Sequence, residues 1–149
     1  MKPYIVDDKV FFQYMNLSVK SCIPLLPEVI SYWELTFVFN GHLTYIINGV
    51  EYIVEKNDII LIPAGSHRVR NGGTTADYVS FNFCLMPDVK LPENILYKNT
   101  VSQEIKSIMA LFPHRRMYYN TVFFSMDYER EKAMNLLNYI LFEVLNTIL

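Results

Sequence analysis

The sequence predicts a mainly β domain, a sandwich or barrel of short strands, followed by two C-terminal helices. Three observations point there. Between Val10 and Phe83, apolar and aromatic residues recur in short runs separated by turn residues. Asn40-Gly41 and Asn48-Gly49 supply the pair that most readily takes positive φ in a tight hairpin. Beyond residue 86 the alternation gives way to helical spacing. With 149 residues, 52% hydrophobic and 15% aromatic, the chain is long enough to bury one core and too short for two.

Residues 1–9, "MKPYIVDDK", read as a polar N-terminal arm, 10–86 as the β unit, and 87–149 as a connector and helical segment packed on it. The strands read as "FFQYMNLSV", "YWELTFVF", "LTYIIN", "EYIVE", "IILIP", "HRVR" and "DYVSFNF". "YWELTFVFNGHLTYIINGVEYIVE" is expected to form a meander through both Asn-Gly turns, and Gly72-Gly73 to close a third hairpin. Aromatic residues on both parities require the sheet to fold on itself, since a flat sheet would leave an apolar face wet.

The prolines of "CLMPDVKLPEN" mark an extended connector. "SQEIKSIMALF" then predicts a short helix capped by Ser102 and stopped by Pro113. From Asp127 onward no Gly or Pro occurs, and Met134, Leu137, Leu141, Val144 and Ile148 follow a 3-4-3-4 spacing, a coiled-coil-like seam. Such a stripe serves either the chain's own core or a partner. Leu136, Ile140 and Leu145 widen it beyond what docking on one sheet edge needs, and the expectation is a homodimer through this helix. The helix has no C-cap signal, from which the chain is expected to be part of something longer.

Composition excludes several functions. The net charge is -2 and the 13 basic residues are scattered, so the chain lacks the basic stripe that DNA binding requires. Cys22 and Cys84 form no CxxC motif, and the N-terminus has no signal-peptide core, which fits a reduced, cytoplasmic setting. No apolar run suits a membrane span.

The stretch "NDIILIPAGSHRVRN", residues 57–71, carries a resemblance. It is similar to the second motif of the cupin barrel, with Asn57 in place of the motif's glycine, Pro63 and Gly65 in register, and His67 one residue early. Glu34 and Gly41 reproduce the Glu-to-Gly spacing of the first motif, but Glu28 and Ile30 stand where its two histidines belong. The order of elements over residues 10–149 resembles the N-terminal sensory domain of AraC-type transcription regulators. That resemblance implies a cupin-like jelly-roll barrel that binds a small effector, often a sugar, and helices that dimerise. DNA would be read only by a helix-turn-helix domain outside this chain.

Glu34, with Glu28 as a further candidate, and the one histidine His67 are too few ligands for a transition metal, and no nucleophile triad replaces them, so neither a metal, a cofactor nor catalysis is expected. The expected pocket lies in the barrel mouth. Alternation places Glu34, Thr36 and Val38 on one face and Trp33, Leu35 and Phe37 on the other; Tyr78, Ser80 and Asn82 share a face that meets either the pocket or solvent. The resemblance adds His67, Arg68 and Arg70, leaving open whether His67 or Arg68 faces inward. Trp33, Tyr32, Tyr45 and Tyr78 could stack on a sugar, and either arginine could pair with an anion. The alternative function is a divalent-metal cupin enzyme acting on a small molecule or sugar.

Overall fold

The computed structural model describes residues 10–18, 24–72, 75–85, 91, 94–111, 117–118, 121–122 and 127–148. Their strands are β1 (Val10–Ser18), β2 (Leu25–Val29), β3 (Trp33–Ile47), β4 (Val50–Glu55), β5 (Ile59–Ile62), β6 (His67–Arg70), β7 (Ala76–Leu85), β8 (Leu96–Tyr97), β9 (Met117–Tyr118) and β10 (Thr121–Val122). The same described residues include two helices, α1 (Gln103–Met109) and α2 (Asp127–Ile148). The expected N-terminal arm, residues 1–9, lies outside the described residues.

All pairings are antiparallel, and β3 organises them. Its first half pairs with β7 on one side and β5 on the other, through Leu35↔Phe81 and Leu35↔Leu61. Its second half pairs with β4 and β6, through Tyr45↔Tyr52 and Tyr45↔Arg70. One strand therefore serves two sheets.

The change of sheet happens at Asn40-Gly41, which corrects the expected hairpin there. The strand does not reverse. Pairing with β7 shifts register between Val38 and Asn40, and Gly41 adopts φ 72 opposite Ala76. A side chain could not fit, because a Cβ on Gly41 would lie 2.1 Å from the Thr75 carbonyl oxygen. A bulge of this kind bends a strand and sharpens its twist. Asn48-Gly49, with φ 50 and 82, is the true hairpin, joining β3 to β4. The third hairpin is also corrected, since β6 pairs with β2 and β3 while β7 pairs with β3 and β1.

Sheet alternation creates two cores. Leu35, Phe37, Leu61, Val79, Phe81 and Phe83 face the helices, where Phe37 and Phe81 meet edge to face at 6.0 Å. The opposite face meets the second sheet, burying Ile30, Val38, Leu43, Ile47, Val54, Ile60 and Ile62. The layers run second sheet, first sheet, helices.

Ser102 caps α1 as expected, its hydroxyl accepting from the Ile105 N–H at 3.2 Å. The apolar stripe of α2 is corrected in its partner. Leu137, Leu141 and Val144 are fully buried against the chain's own sheet, together with Ala133 and Ile140. These three seam residues are therefore used internally; the side chains of Met134 and Ile148 lie outside the described residues. No helix among the described residues is long and apolar enough to cross a membrane.

Gly41→Ala is expected to lower stability by about 2 kcal/mol or more, through strain and collision together. Gly49→Ala, equally left-handed but facing open space, should cost about 1 kcal/mol. Urea midpoints of the two variants compare them. Leu137→Ala should cost about 3 kcal/mol at any protein concentration, whereas a concentration-dependent loss would place the seam between two chains.

Candidate functional site

The polar site forms where the first half of β3, β6 and β7 meet between the sheets. Directly opposed residues of antiparallel strands share a face, so Glu34↔Asn82, Thr36↔Ser80 and Val38↔Tyr78 form successive rungs facing the second sheet. From that sheet Arg68 and Arg70 point inward, because they pair with the buried Ile47 and Tyr45. Tyr78, Ser80 and Asn82 are therefore buried between the sheets and do not face solvent.

The same register turns His67 outward, which corrects its place among the pocket residues. Its ring is exposed, while its N–H donates to Asn48 Oδ1 at 2.8 Å and its carbonyl accepts from the Asn48 N–H at 2.8 Å. His67 braces the hairpin turn through its backbone. Trp33 is corrected likewise, since it packs on the helix side of the sheet, across from the polar groups. Of the expected ligand-binding residues, Glu34, Thr36, Arg68, Arg70, Tyr78, Ser80 and Asn82 converge in one buried layer.

Glu34 is the hub. Its Oε1 accepts from the Tyr45 hydroxyl at 2.7 Å and the Thr36 hydroxyl at 3.0 Å, and its Oε2 accepts from Arg68 Nη1. Thr36 lies 2.6 Å from the Ser80 hydroxyl. Arg70 donates to the Tyr45 hydroxyl at 3.2 Å and the Tyr78 hydroxyl at 2.9 Å, and its guanidinium sits over both rings, at 5.8 and 4.7 Å from their centroids. Such stacking suits a planar guanidinium, which is less strongly hydrated than an ammonium.

At the rim, Arg68 Nη1 also donates to the Tyr32 hydroxyl at 3.2 Å, and Nη2 donates to Glu28 Oε1 at 2.5 Å. The Arg68 side chain is 3% exposed, that of Glu28 53%. Glu28 completes the site, and Tyr32 and Tyr45, first read as possible sugar-stacking rings, take part through their hydroxyls. β2 was illegible as a strand because Pro24 and Pro27 flank and interrupt it. Proline is tolerated there because, among the described residues, β2 pairs only with β6 and lies at the end of the strand order.

The tyrosines expected to stack on a sugar instead meet the two arginines. Tyr45 and Tyr78 are stacked on Arg70, and Tyr32 lies under Arg68. The donors also fit a transition metal poorly: both Glu34 oxygens and Glu28 Oε1 already serve Arg68 and its neighbours. Among the described residues no group of three His, Cys, Asp or Glu side chains could hold a metal ion. A separate open groove of about 760 Å³ between α1 and α2, lined by Ile108, Leu111, Leu136 and Tyr139, lies on the helix side of the sheet, across from this layer.

Burial first, and then the Glu34 charge, push the Tyr45 phenol well above its ordinary value near 10. For Arg70, burial works against the charge, but Tyr45, Tyr78 and Glu34 outweigh it and hold the guanidinium protonated.

Fold and site together define a cupin-like β barrel whose interior is polar and arginine-bearing. The family model for ethanolamine utilisation protein EutQ matches residues 18–88. An ethanolamine utilization protein Q from Salmonella typhimurium LT2 is 21% identical, with TM-score 0.38, covering 44% of this chain and 53% of that one. The EutQ protein of Clostridium difficile is 18% identical, TM-score 0.39, covering 50% and 68%; YhaK of Escherichia coli is 12% identical, TM-score 0.44, covering 65% and 47%. The chain thus spans about half the length of the Salmonella protein. No curated protein matches it.

The EutQ match overturns the AraC-type resemblance. The strands that carried it, including Pro63 and Gly65, fall inside the EutQ match, and such a strand pair marks the barrel without marking its function. The helical seam that suggested a regulator's dimer lies outside the match and packs within the chain.

The folded state holds the Tyr45 proton more tightly than the unfolded chain does. Its contribution is therefore complete below about pH 10 and is lost as pH rises beyond that value. Tyr45→Phe is expected to cost about 1 kcal/mol at neutral pH through lost hydrogen bonds and to flatten the alkaline decline in Tm. Tyr97, raised by burial, leaves a residual slope. Thermal denaturation across pH 8–12 (roughly the span of phenol titration) measures both effects.

Proposed function

We propose that this chain is a small-molecule-binding domain with a cupin-like barrel, in which a polar guest is recognised between the sheets without a metal ion or catalysis. The observation that carries the reading is the buried layer of Glu34, Thr36, Arg68, Arg70, Ser80 and Asn82. Burying ionic groups costs several kcal/mol per ion before pairing, and packed apolar residues often replace such pairs without loss. A structural barrel has no need of this layer.

The EutQ match supports a setting in small-molecule metabolism. Ethanolamine itself suits the interior poorly. It carries an ammonium group, and the layer already contains two guanidinium ions, each lying over at least one tyrosine ring. A guest that is neutral or negatively charged suits it better. The second reading, a divalent-metal enzyme acting on a small molecule, is equally compatible with the family match. The commitment of Glu28 and Glu34 to Arg68 places it second.

Thermal shift against neutral sugars, amines and small organic acids at fixed ionic strength tests the proposal. A specific ligand at a hundredfold excess over Kd should add about 2.7 kcal/mol, raising Tm by several degrees. Stoichiometric divalent metal in the purified protein, with stabilisation by that metal and by none of the organic compounds, would favour the enzyme.

A further inference from the structure

The two edges of the Arg68 guanidinium are used differently. Nη1 is committed to the interior, donating to Glu34 and Tyr32. Nη2 reaches Glu28, while the neighbouring Nε–H is buried and has no hydrogen-bond partner among the described residues. Nε and Nη2 form the side-on fork that accepts both oxygens of a carboxylate in its plane. Glu28 Oε1 meets one of its two nitrogens, Nη2.

Glu28 is also weakly anchored. Its side chain is half exposed on β2, whose pairing with β6 is irregular between Leu25 and Glu28. Besides Arg68, its described contact is a 3.4 Å hydrogen bond from the Tyr32 hydroxyl. The arginine is thus fixed by a buried carboxylate on one edge and met by a movable one on the other. If Glu28 swings out, the layer retains two guanidinium ions against the Glu34 carboxylate, leaving an unbalanced positive charge at the rim. Leaving a buried charge unpaired is costly, so a ligand that restores the pair is strongly favoured.

We propose that the Nε/Nη2 edge of Arg68 is the seat for a carboxylate group of the ligand, and that Glu28 occupies this seat as an internal competitor until displaced. The inference rests on the small-molecule reading above and adds the chemical class of the guest. A compact carboxylate matches the fork, and its second oxygen supplies the bond that Glu28 leaves unmade at Nε. A phosphate ester could use the same edge and is therefore an arm of the test.

Formate is the probe. Wild type, Glu28→Ala and Glu28→Gln are titrated with sodium formate, inorganic phosphate or sodium chloride at equal ionic strength, following Tm and the Arg68 Hε resonance. Both variants should take up formate at least tenfold more tightly than wild type, with Glu28→Ala regaining lost stability and the Hε signal moving on addition. Arg68→Lys, combined with Glu28→Ala or Glu28→Gln, keeps the charge, removes the fork and should abolish the gain. Equal responses to formate and chloride, or a gain that survives Arg68→Lys, would overturn the seat; a phosphate response exceeding that to formate would overturn the carboxylate assignment. If wild type responds to the broader compound panel but the Glu28 variants show no gain, the seat fails and the binding reading stands. A gain in the variants with no wild-type response to any compound keeps the seat and sinks the binding reading.

Discussion

The continuity of β3 through Gly41 is the constraint on which the architecture depends. A hairpin at Asn40-Gly41 would have kept both halves in one sheet and turned their inner faces the same way. The bulge carries the backbone from one layer to the next, so that Glu34 and Thr36 look across at Tyr45 on the same strand. A single strand thus supplies the hub carboxylate and one of its principal donors, and their separation is set by one bend. Close contact with the Thr75 carbonyl requires a residue without a side chain there.

Glu34 then decides what the interior can do. Its carboxylate is shared by Arg68, Tyr45 and Thr36, and Thr36 extends the network to Ser80. Such a network positions its members well but leaves few lone pairs for anything else. The available chemistry shifts to the rim, where Arg68 meets a solvent-exposed partner. The helices reinforce this arrangement from the other side of the sheet, closing its apolar face with Leu137, Ile140 and Leu141.

Much of this was legible from local rules. Alternation grouped Glu34 with Thr36, and Tyr78 with Ser80 and Asn82, on shared faces, because the side-chain period of a strand is independent of its neighbours; it left open whether the second face met pocket or solvent. Asn57 was read in place of a glycine, and its φ of 68 supports that reading. Local rules failed where pairing partners decide. Asn40-Gly41 and Asn48-Gly49 have the same composition, yet one is a bulge because β7 pairs across it, and the other is a turn whose flanking residues Ile47 and Val50 pair with each other. The inward position belongs to Arg68 over His67 because Ile47 lies opposite, a long-range fact. The stripe on α2 was visible in the spacing, but not that its complement is the aromatic face of β7.

Arg70 carries a consequence of its own. Enclosed by Tyr45 and Tyr78 and resistant to deprotonation, it gives the barrel an electrostatic field that acidity cannot switch off within the range where proteins live. Selectivity by charge then passes to the visitor. If the barrel takes a guest as proposed, its fixed charge would tell the ionised form of a compound from the neutral one, and the fraction captured would follow the acidity of the guest more than that of the host.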